Sequence, residues 1–282
     1  MSEKPDARTW RNPLFVANSG GERISQSLTL GAELRRKVAA GCALGTFVIE
    51  CPVPETLRSL ALAGFDFVVL DMEHSAVDFS RLEGLIAAGQ AAGLAILVRP
   101  WGDEAGLIGK LLDMGANGIM ASRVESAAHA RAIVDQARFA PHGARGFSPL
   151  VKYDALSEPL RALDEATYLV VQIEGRQALD SIGEIASIPG IDAAFVGPYD
   201  LALSMGVPPG SAQVFAAAEQ VARAVPRSLA LGIYIDDPRV CADWAARRFC
   251  LQCVSFDGRM LANGARDVMR QARLAMGNKE RA

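Results

Sequence analysis

Charged and amide side chains follow several separate apolar runs of the sequence, at the point where each run ends. Each run is a short, nearly continuous stretch of valine, isoleucine, leucine and phenylalanine, which is typical of a parallel strand buried on both faces. The carboxyl ends of parallel strands in a barrel meet at one rim, where active sites lie. This shared placement predicts a single site, and its candidate residues are Asp71, Glu73, His74, Arg99, Gln172, Glu174 and Asp200.

Two of these carboxylates, Glu174 and Asp200, have the chemistry of a divalent-cation site. Oxygen ligands without a paired thiolate or imidazole suit a hard ion such as Mg2+ or Mn2+. Two protein ligands leave positions for water and for the carboxylate and keto oxygens of a 2-oxo acid. A cation bound there would stabilise the enolate that forms when an adjacent carbon loses a proton or a carbon–carbon bond breaks.

Arg99 and His74 supply the other groups that such a reaction needs. Arg99 offers a permanently charged guanidinium for the same oxyanion. His74 is one of three histidines in the chain, and an unperturbed imidazole pKa of about 6.5 suits proton transfer at neutral pH. Together these groups predict carbon–carbon bond chemistry next to a 2-oxo acid.

Ordinary structural roles compete with these assignments. A single Asp or Glu after a strand is more often a helix N-cap or a solvated loop charge, and Asp78 is predicted to be such a cap. His129 and His142 fit surface positions. Asp113 falls at the C-terminal end of a predicted helix, where the helix dipole opposes an acidic side chain. This mild anomaly is weak evidence that Asp113 has a functional role.

The elements that position these residues are eight apolar runs alternating with amphipathic segments, as in a series of strand–helix units. An open doubly wound sheet usually has fewer strands, so the pattern favours a closed (β/α)8 barrel, one domain spanning residues 28–282. Residues 1–27 are polar and without pattern, and are predicted to form a poorly ordered extension or an arm at a subunit interface. The predicted strands are 43–49, 65–71, 95–100, 118–122, 168–174, 193–198, 229–235 and 251–256.

The composition argues against several classes of protein. A formal net charge of -3 over 282 residues gives no basic surface for nucleic acid. No apolar run reaches ~18 residues and no signal-like segment opens the chain, so no membrane association and a cytoplasmic location are expected. Five cysteines do not suggest a disulfide framework. Cys250 and Cys253 lie in an apolar run and are expected to be buried reduced thiols.

Six linked motifs carry a family resemblance. They are GFDFVVLDMEHSAVD (64–78), LVRP (97–100), KLLDMGANGIM (110–120), PHGARG (141–146), VVQIEGRQAL (170–179) and FVGPYDLALSMG (195–206). In this order and spacing they resemble the class II pyruvate aldolases of the HpcH/HpaI group. The resemblance implies a modified TIM barrel whose last helix is exchanged between subunits of a homo-oligomer, a dimer or a hexamer. It also implies a divalent cation (Mg2+, Mn2+ or Co2+), with pyruvate and an aldehyde as substrates.

The resemblance implies a role for each candidate residue. Glu174 and Asp200 match the two metal-binding carboxylates, and Arg99 matches the arginine that contacts the pyruvyl oxygen. His74 matches the general acid/base, and Asp113 matches the acidic residue paired with it. The remaining matches are Gln172 on the substrate, the backbone of Pro198 and Tyr199 on its carboxylate, and Asp71 and Glu73 beside the metal-bound water and the loop.

Departures from the family pattern leave the identity of the aldehyde substrate undetermined. Phe47 stands where many relatives have Trp, Ser122 replaces a common proline, and Tyr199 is bulkier than its usual counterpart. The run VSFDG (254–258) also lacks a usual glycine. Each of these positions lines or neighbours the expected pocket, while the metal ligands and the base are unchanged.

Two alternative functions remain open from the sequence. One is a lyase acting on a CoA thioester, as in the related citrate-lyase-type branch, with Arg123, Arg145 and Lys152 as candidates for binding the CoA phosphates. The other is a non-catalytic barrel that binds a small 2-oxo acid. The histidine of the DMEH motif favours the aldolase over the first alternative, and the intact site favours it over the second.

Overall fold

The computed structural model describes residues 26–102, 106–148 and 158–276. Eight parallel strands pair in sequence order, and the eighth pairs with the first, so the sheet closes into a barrel. This confirms the predicted (β/α)8 barrel. The strands are β1 (Ala43–Val48), β2 (Phe67–Asp71), β3 (Ala95–Arg99), β4 (Gly118–Ala121), β5 (Tyr168–Ile173), β6 (Ala193–Val196), β7 (Ala230–Ile235) and β8 (Phe249–Phe256).

Twelve α-helices flank or connect these strands within the described ranges. One precedes β1, and the others lie in the connections or follow β8. The helices are α1 (Gln26–Ala39), α2 (Pro54–Leu62), α3 (Phe79–Ala91), α4 (Leu107–Asp113), α5 (Ala127–Ala137), α6 (Pro159–Ala166), α7 (Arg176–Asp180), α8 (Ile182–Ile185), α9 (Pro198–Met205), α10 (Ala212–Ala224), α11 (Cys241–Ala246) and α12 (Asp257–Ala275).

Local sequence signals set the helix ends. The Asp78 side chain accepts hydrogen bonds from the backbone N–H groups of Ser80 and Arg81, which confirms the predicted N-cap of α3. Gly93 follows α3 with a φ of 93°, a left-handed conformation that glycine adopts at low cost. Gly93 thus ends α3 two residues before β3 begins at Ala95, and the helix leads directly to the next strand.

Alternate strand residues point into the barrel and give it an apolar interior beneath the rim formed by the C-terminal ends of the strands. Along β5, Tyr168 and Val170 belong to this interior, and the next inward position is Gln172. On β2 and β3, the inward series likewise reaches a polar residue at the rim, Asp71 and Arg99 respectively. Because side chains alternate along each strand, Asp71, Arg99 and Gln172 lie at the C-terminal end of the packed barrel interior.

Helix α1 closes the opposite, N-terminal end of the barrel. Leu30, Leu34 and Val38 pack against the interior side chains. A Cβ atom at Gly31 would lie 2.0 Å from the carbonyl oxygen of Ala166, so glycine lets α1 approach α6 closely. Of the predicted extension 1–27, residues 26 and 27 open this helix, and residues 1–25 lie outside the described residues.

Helix α12 carries exposed apolar side chains at helical spacing. Ala265 and Ala272 lie on the same face as several of them. The predicted exchange of this helix between subunits would cover that face, and it stays a prediction. The exposed large apolar residues of α12 and its C-cap are Leu261, Val268, Met269, Leu274 and Met276.

None of the described helices combines the length and the apolarity that crossing a membrane requires.

All five cysteines are free thiols. Cys253 is buried, Cys250 is half-buried and Cys42 is exposed, so the expectation of buried thiols holds fully for Cys253 and partly for Cys250.

Candidate active site

A cleft of about 300 Å³ opens at the C-terminal ends of the strands. It brings together seven of the predicted residues, which come from β3, β5 and the loops or helices after β2, β5 and β6. These are His74, Arg99, Gln172, Glu174, Pro198, Tyr199 and Asp200. The remaining walls are Phe47, Ile49, Phe195, Gly197, Tyr234, Phe256 and Arg259.

Arg99 is held in the cleft by a paired hydrogen bond to a carboxylate. Its Nε and Nη2 donate to the two carboxylate oxygens of Asp71 at 2.8 and 2.7 Å. Its guanidinium also lies 4.8 Å from the centre of the Phe47 ring. Burial opposes the charge, but Asp71, with Glu73 and Glu174 nearby, outweighs it and raises the pKa of Arg99 above its ordinary value. The guanidinium is therefore a fixed positive charge.

Glu174 follows β5 and is almost fully buried. Its Oε1 accepts a hydrogen bond of 2.8 Å from the backbone N–H of Arg123, whose φ of 51° is unusual for a non-glycine residue. A Cβ at Gly197 would lie 2.6 Å from Oε2, so the glycine leaves room for the carboxylate. Burial, and to a lesser degree the nearby Asp200 carboxylate, raises the pKa of Glu174 to about 7.

The donor set around Glu174 fits a divalent cation. A carboxylate whose pKa is raised by burial and by a second carboxylate gains from a cation placed between the two. Gln172 Oε1 is buried and has no hydrogen-bond partner among the described residues. No three His, Cys, Asp or Glu side chains of the described ranges form a metal-binding group, so a cation would use Glu174 and Asp200 with water and substrate oxygens.

His74 lies at the open side of the cleft. About half of its side chain is exposed, as access to a reacting group requires. Its Nε2 is 3.9 Å from Oε2 of Glu73. Glu73 also contacts Arg99 Nε at 3.5 Å and Arg123 Nη2 at 3.0 Å. Glu73 thus links the buried arginine to the exposed imidazole.

The first turn of α9 forms another wall. Gly197 is its N-cap and Pro198 is its first residue, which places backbone N–H groups at the cleft. Asp200 stands in this first turn. The Tyr199 hydroxyl donates to Asp236, which directly follows β7, so this hydrogen bond fixes the position of the Tyr199 side chain at the edge of the cleft.

Asp113 does not meet His74 within one chain. It ends α4, five residues before β4 begins, and so lies at the N-terminal end of the barrel. Its carboxylate accepts a hydrogen bond of 2.7 Å from Arg145 Nη2. Arg145 is itself buried beside a crevice that also contains Gly115 and Asn117. The pair predicted from the resemblance is therefore not formed inside a single barrel.

A cluster that the sequence reasoning missed completes the rim. The Tyr234 hydroxyl donates to Asp236 at 2.9 Å, and Asp236 also accepts from Tyr199 and from Arg259. Burial raises the pKa of Tyr234 to about 12, so its hydroxyl keeps the proton it donates. Asp236 directly follows β7, so the rule that found Glu174 could have found it.

The predicted CoA-phosphate candidates do not gather at the mouth. Arg123 lies there, exposed and paired with Glu73. Arg145 is buried and ion-paired with Asp113, so its placement at the mouth was wrong. Lys152 lies outside the described residues.

Comparisons with known proteins agree with this geometry. The sequence profile described as HpcH/HpaI aldolase/citrate lyase matches residues 47–263. A hydroxypyruvate/pyruvate aldolase of Rhizorhabdus wittichii is 35% identical over 231 residues, 78% of this chain and 91% of the relative. An HpcH/HpaI aldolase of Desulfitobacterium hafniense superposes with a TM-score of 0.77 at 27% identity, over 85% of this chain and 96% of that one. The citrate synthase SbnG gives a TM-score of 0.78 at 25% identity, over 87% and 99%.

Proposed function

The chain belongs to the HpcH/HpaI aldolase/citrate lyase family, and from this premise we propose that it is a divalent-metal-dependent pyruvate aldolase. It is an aldehyde-lyase that reversibly cleaves a 4-hydroxy-2-oxo acid to pyruvate and an aldehyde. Mg2+ or Mn2+ suits the oxygen ligands best, with Co2+ as a further candidate.

One arrangement carries this proposal. The Arg99 guanidinium, which Asp71 fixes through two hydrogen bonds, lies in the same cleft as the carboxylates of Glu174 and Asp200. Oε1 of Gln172, which has no hydrogen-bond partner among the described residues, belongs to this cleft as well. A cation and a fixed guanidinium on the same 2-oxo acid are what an enolate needs, because its charge develops on the former keto oxygen.

Each residue has a distinct task in the reaction. When bound, a divalent cation supplies a Lewis acid for the oxygens of the 2-oxo acid. Glu174 and Asp200 would hold it. The backbone at Pro198 and Tyr199, where the N–H of Tyr199 is available at the start of α9, would receive the substrate carboxylate. Arg99 stabilises negative charge on the enolate oxygen, and its burial keeps competing water away. Gln172 orients the bound acid.

His74 moves the proton of the 4-hydroxyl group. It accepts this proton through a water molecule, while the bond between C3 and C4 breaks and its electron pair passes into the enolate. The aldehyde leaves, and C3 of the enolate takes up a proton to give the pyruvate methyl group. Oε2 of Glu73 lies 3.9 Å from Nε2 of this imidazole.

The direct test is product analysis. Purified protein supplied with Mg2+ or Mn2+ is given a 4-hydroxy-2-oxo acid, and pyruvate is measured by coupled reduction to lactate. Pyruvate and aldehyde released in equal amounts support the proposal. Release of neither product from a set of such acids of different length would contradict it.

A CoA-thioester lyase remains the second candidate, since a citrate synthase is among the superposed structures. Of the three cations named for the CoA phosphates, Arg123 lies at the mouth, Arg145 lies at the other end of the barrel, and Lys152 lies outside the described residues. Acetyl-CoA release from malyl-CoA or citramalyl-CoA distinguishes this lyase from the aldolase.

We also propose that the protein is a homo-oligomer, a dimer or a hexamer, in which α12 packs on a neighbouring subunit. The exposed apolar face of α12 supports this assembly, because an uncovered face of this kind is costly in water. Asp113 and His74 lie at opposite ends of one barrel, so the predicted pairing of these residues would require Asp113 of a second copy.

A further inference from the structure

A second crevice, of about 310 Å³, lies behind the wall that Tyr199 and Tyr234 give to the active-site cleft. It is enclosed by the ends of β6 and β7, the start of α9, the first half of α10, and α11. Mostly apolar walls with a few polar groups are typical of a site for a small molecule, and the proposed reaction gives this crevice no task. We call it the rear crevice, and the lining residues that define its chemistry are Tyr199, Phe215, Tyr234, Asp236, Asp237 and Trp244.

Four aromatic side chains line the rear crevice in two pairs. The rings of Phe215 and Trp244 are stacked, with centres 5.6 Å apart and an angle of 9° between their planes. The rings of Tyr199 and Tyr234 meet edge to face at 5.8 Å. Trp244 is buried, whereas Phe215 is about half exposed. Since the face of an aromatic ring attracts a cation, these walls suit a positively charged group as well as an apolar one.

The charged side chains that the described residues contribute to the lining of the rear crevice are both carboxylates, Asp236 and Asp237. The arginine paired with each of them lies outside that lining. Arg259, the partner of Asp236, lines the active-site cleft instead, and Arg239, the partner of Asp237, is exposed to solvent. Hydrogen bonding to Arg239 lowers the pKa of Asp237 to about 2, so this carboxylate is ionised at neutral pH. The rear crevice therefore presents negative charge to an occupant.

Asp236 also keeps some capacity to accept hydrogen bonds. Its Oδ1 accepts from Tyr234 and Arg259, and its Oδ2 accepts from Tyr199. Because a carboxylate oxygen accepts about two hydrogen bonds, the contacts made by the described residues leave Oδ2 able to accept one more. Both oxygens of Asp237 are engaged by Arg239, so Asp237 contributes its charge.

We propose that the rear crevice binds a small organic ammonium ion with an aromatic body. This inference goes beyond the proposed aldolase function. The ammonium group donates to Asp236 and lies against the tyrosine rings, while the aromatic body packs on Phe215 and Trp244. A neutral molecule of the same shape lacks the charge-assisted hydrogen bond and the attraction between cation and ring, and an anion is repelled by the two carboxylates.

The test compares two probes of similar size at neutral pH, 2-phenylethylammonium, which is charged, and 2-phenylethanol, which is neutral. Calorimetric titration of the protein in Mn2+ should give a dissociation constant for the ammonium ion about tenfold or more below that for the alcohol. Phe215→Ala, which removes a half-exposed ring from the crevice wall, should weaken binding of the ammonium ion by about tenfold. Asp237→Asn keeps the shape of the side chain and should narrow the preference for the ammonium ion over the alcohol.

Two control variants locate the bound ion. Leu203→Ala removes an exposed apolar side chain of α9 that does not line the rear crevice, and it should leave both affinities unchanged. The carboxylates of the active-site cleft also attract cations, so Glu174→Gln, a change in that cleft, should leave binding of the ammonium ion unchanged as well.

Three results would overturn the inference: no measurable binding of the ammonium ion at millimolar concentration, equal affinity for the two probes, or an affinity that neither Phe215→Ala nor Asp237→Asn alters. Loss of binding in Glu174→Gln would place the ion in the active-site cleft and would overturn it too. These titrations require no turnover, so their outcome is independent of the proposed aldolase function.

Discussion

Asp71 accepts two hydrogen bonds from the guanidinium of Arg99, 2.8 Å from Nε and 2.7 Å from Nη2, and both side chains are buried. This paired geometry fixes the plane of the guanidinium before any substrate arrives. Asp71 and Arg99 are also register partners on β2 and β3, so the sheet itself sets their separation. A preorganised cation at the enolate oxygen avoids the cost of reorienting a long side chain during the reaction.

Asp71→Asn should lower turnover by about tenfold to a hundredfold. The amide offers one acceptor oxygen and turns N–H groups toward a guanidinium that can only donate. Steady-state pyruvate release measures the change, and Mn2+ binding should persist because Asp71 is not a ligand. The control is Asp66→Asn. Asp66 pairs with Lys37 at the other end of β2. Unchanged turnover in Asp71→Asn would show that Arg99 does not need this anchor.

Asp71→Asn leaves the buried guanidinium of Arg99 with only part of its pairing. This variant should therefore also have a lower free energy of unfolding than the wild-type protein. Arg99→Lys provides a second test that keeps Asp71 intact. Lysine retains the charge but lacks the planar fork, so turnover should fall while Mn2+ still binds. Full activity of Arg99→Lys would indicate that charge alone, without orientation, is sufficient.

The affinity for the divalent cation should depend on pH through Glu174. The pKa of this carboxyl is raised to about 7 in the metal-free protein, so below pH 7 a cation must displace a proton. Affinity should fall by up to about tenfold per pH unit on the acid side and level off above pH 7. Calorimetric titration with Mn2+ from pH 5.5 to 8.5 measures this. A constant affinity over that range would contradict the placement of the cation at Glu174.

His74→Ala should separate two steps of the reaction. Loss of the imidazole should reduce cleavage of the 4-hydroxy-2-oxo acid by about a hundredfold or more. Exchange of the pyruvate methyl protons with deuterium, followed by proton NMR, should fall much less, because Arg99 still stabilises the enolate. His129→Ala, on α5, is the histidine control. Equal losses in cleavage and exchange would assign His74 to the enolate step instead.

The apolar face of α12 should determine the oligomeric state. Leu261→Glu combined with Val268→Glu places two charges on that face, where a partner subunit would bury them at high cost. Light scattering on a sizing column should show a dimer or larger assembly for wild-type protein and a smaller species for the variant. Leu203→Glu, which changes an exposed residue of α9, is the control. A monomeric wild-type protein would contradict the proposed assembly.

The sequence predicted the barrel and most of the cleft because one physical rule covers both. Buried parallel strands require continuous apolar runs, and the polar residues that end them, such as Arg99 and Glu174, must then meet at one rim. Strand ends shifted by one or two residues, as where β8 begins at Phe249 rather than 251. Such shifts depend on hydrogen bonds to neighbouring strands, which apolar runs do not encode.

Contacts between distant segments were beyond the reach of the sequence. The cluster of Asp236, Tyr199 and Arg259 joins three elements through hydrogen bonds; the end of β7 marks Asp236, but no local pattern marks its contacts with the other two residues. The partner of Asp113 within the chain, Arg145, could not be read from spacing either. Both depend on how helices and loops pack around the barrel, and for Asp113 the packing contradicted a pairing inside one chain.

The most direct test of the account is cleavage by protein stripped of metal with EDTA and then dialysed. With a 4-hydroxy-2-oxo acid as substrate, the stripped protein should release almost no pyruvate, and added Mg2+ or Mn2+ should restore release. Glu174→Gln, which keeps the size of the side chain but removes its charge, should remain inactive after the same addition. Undiminished pyruvate release by the stripped protein, or full activity of Glu174→Gln, would contradict a cation held by Glu174 and Asp200.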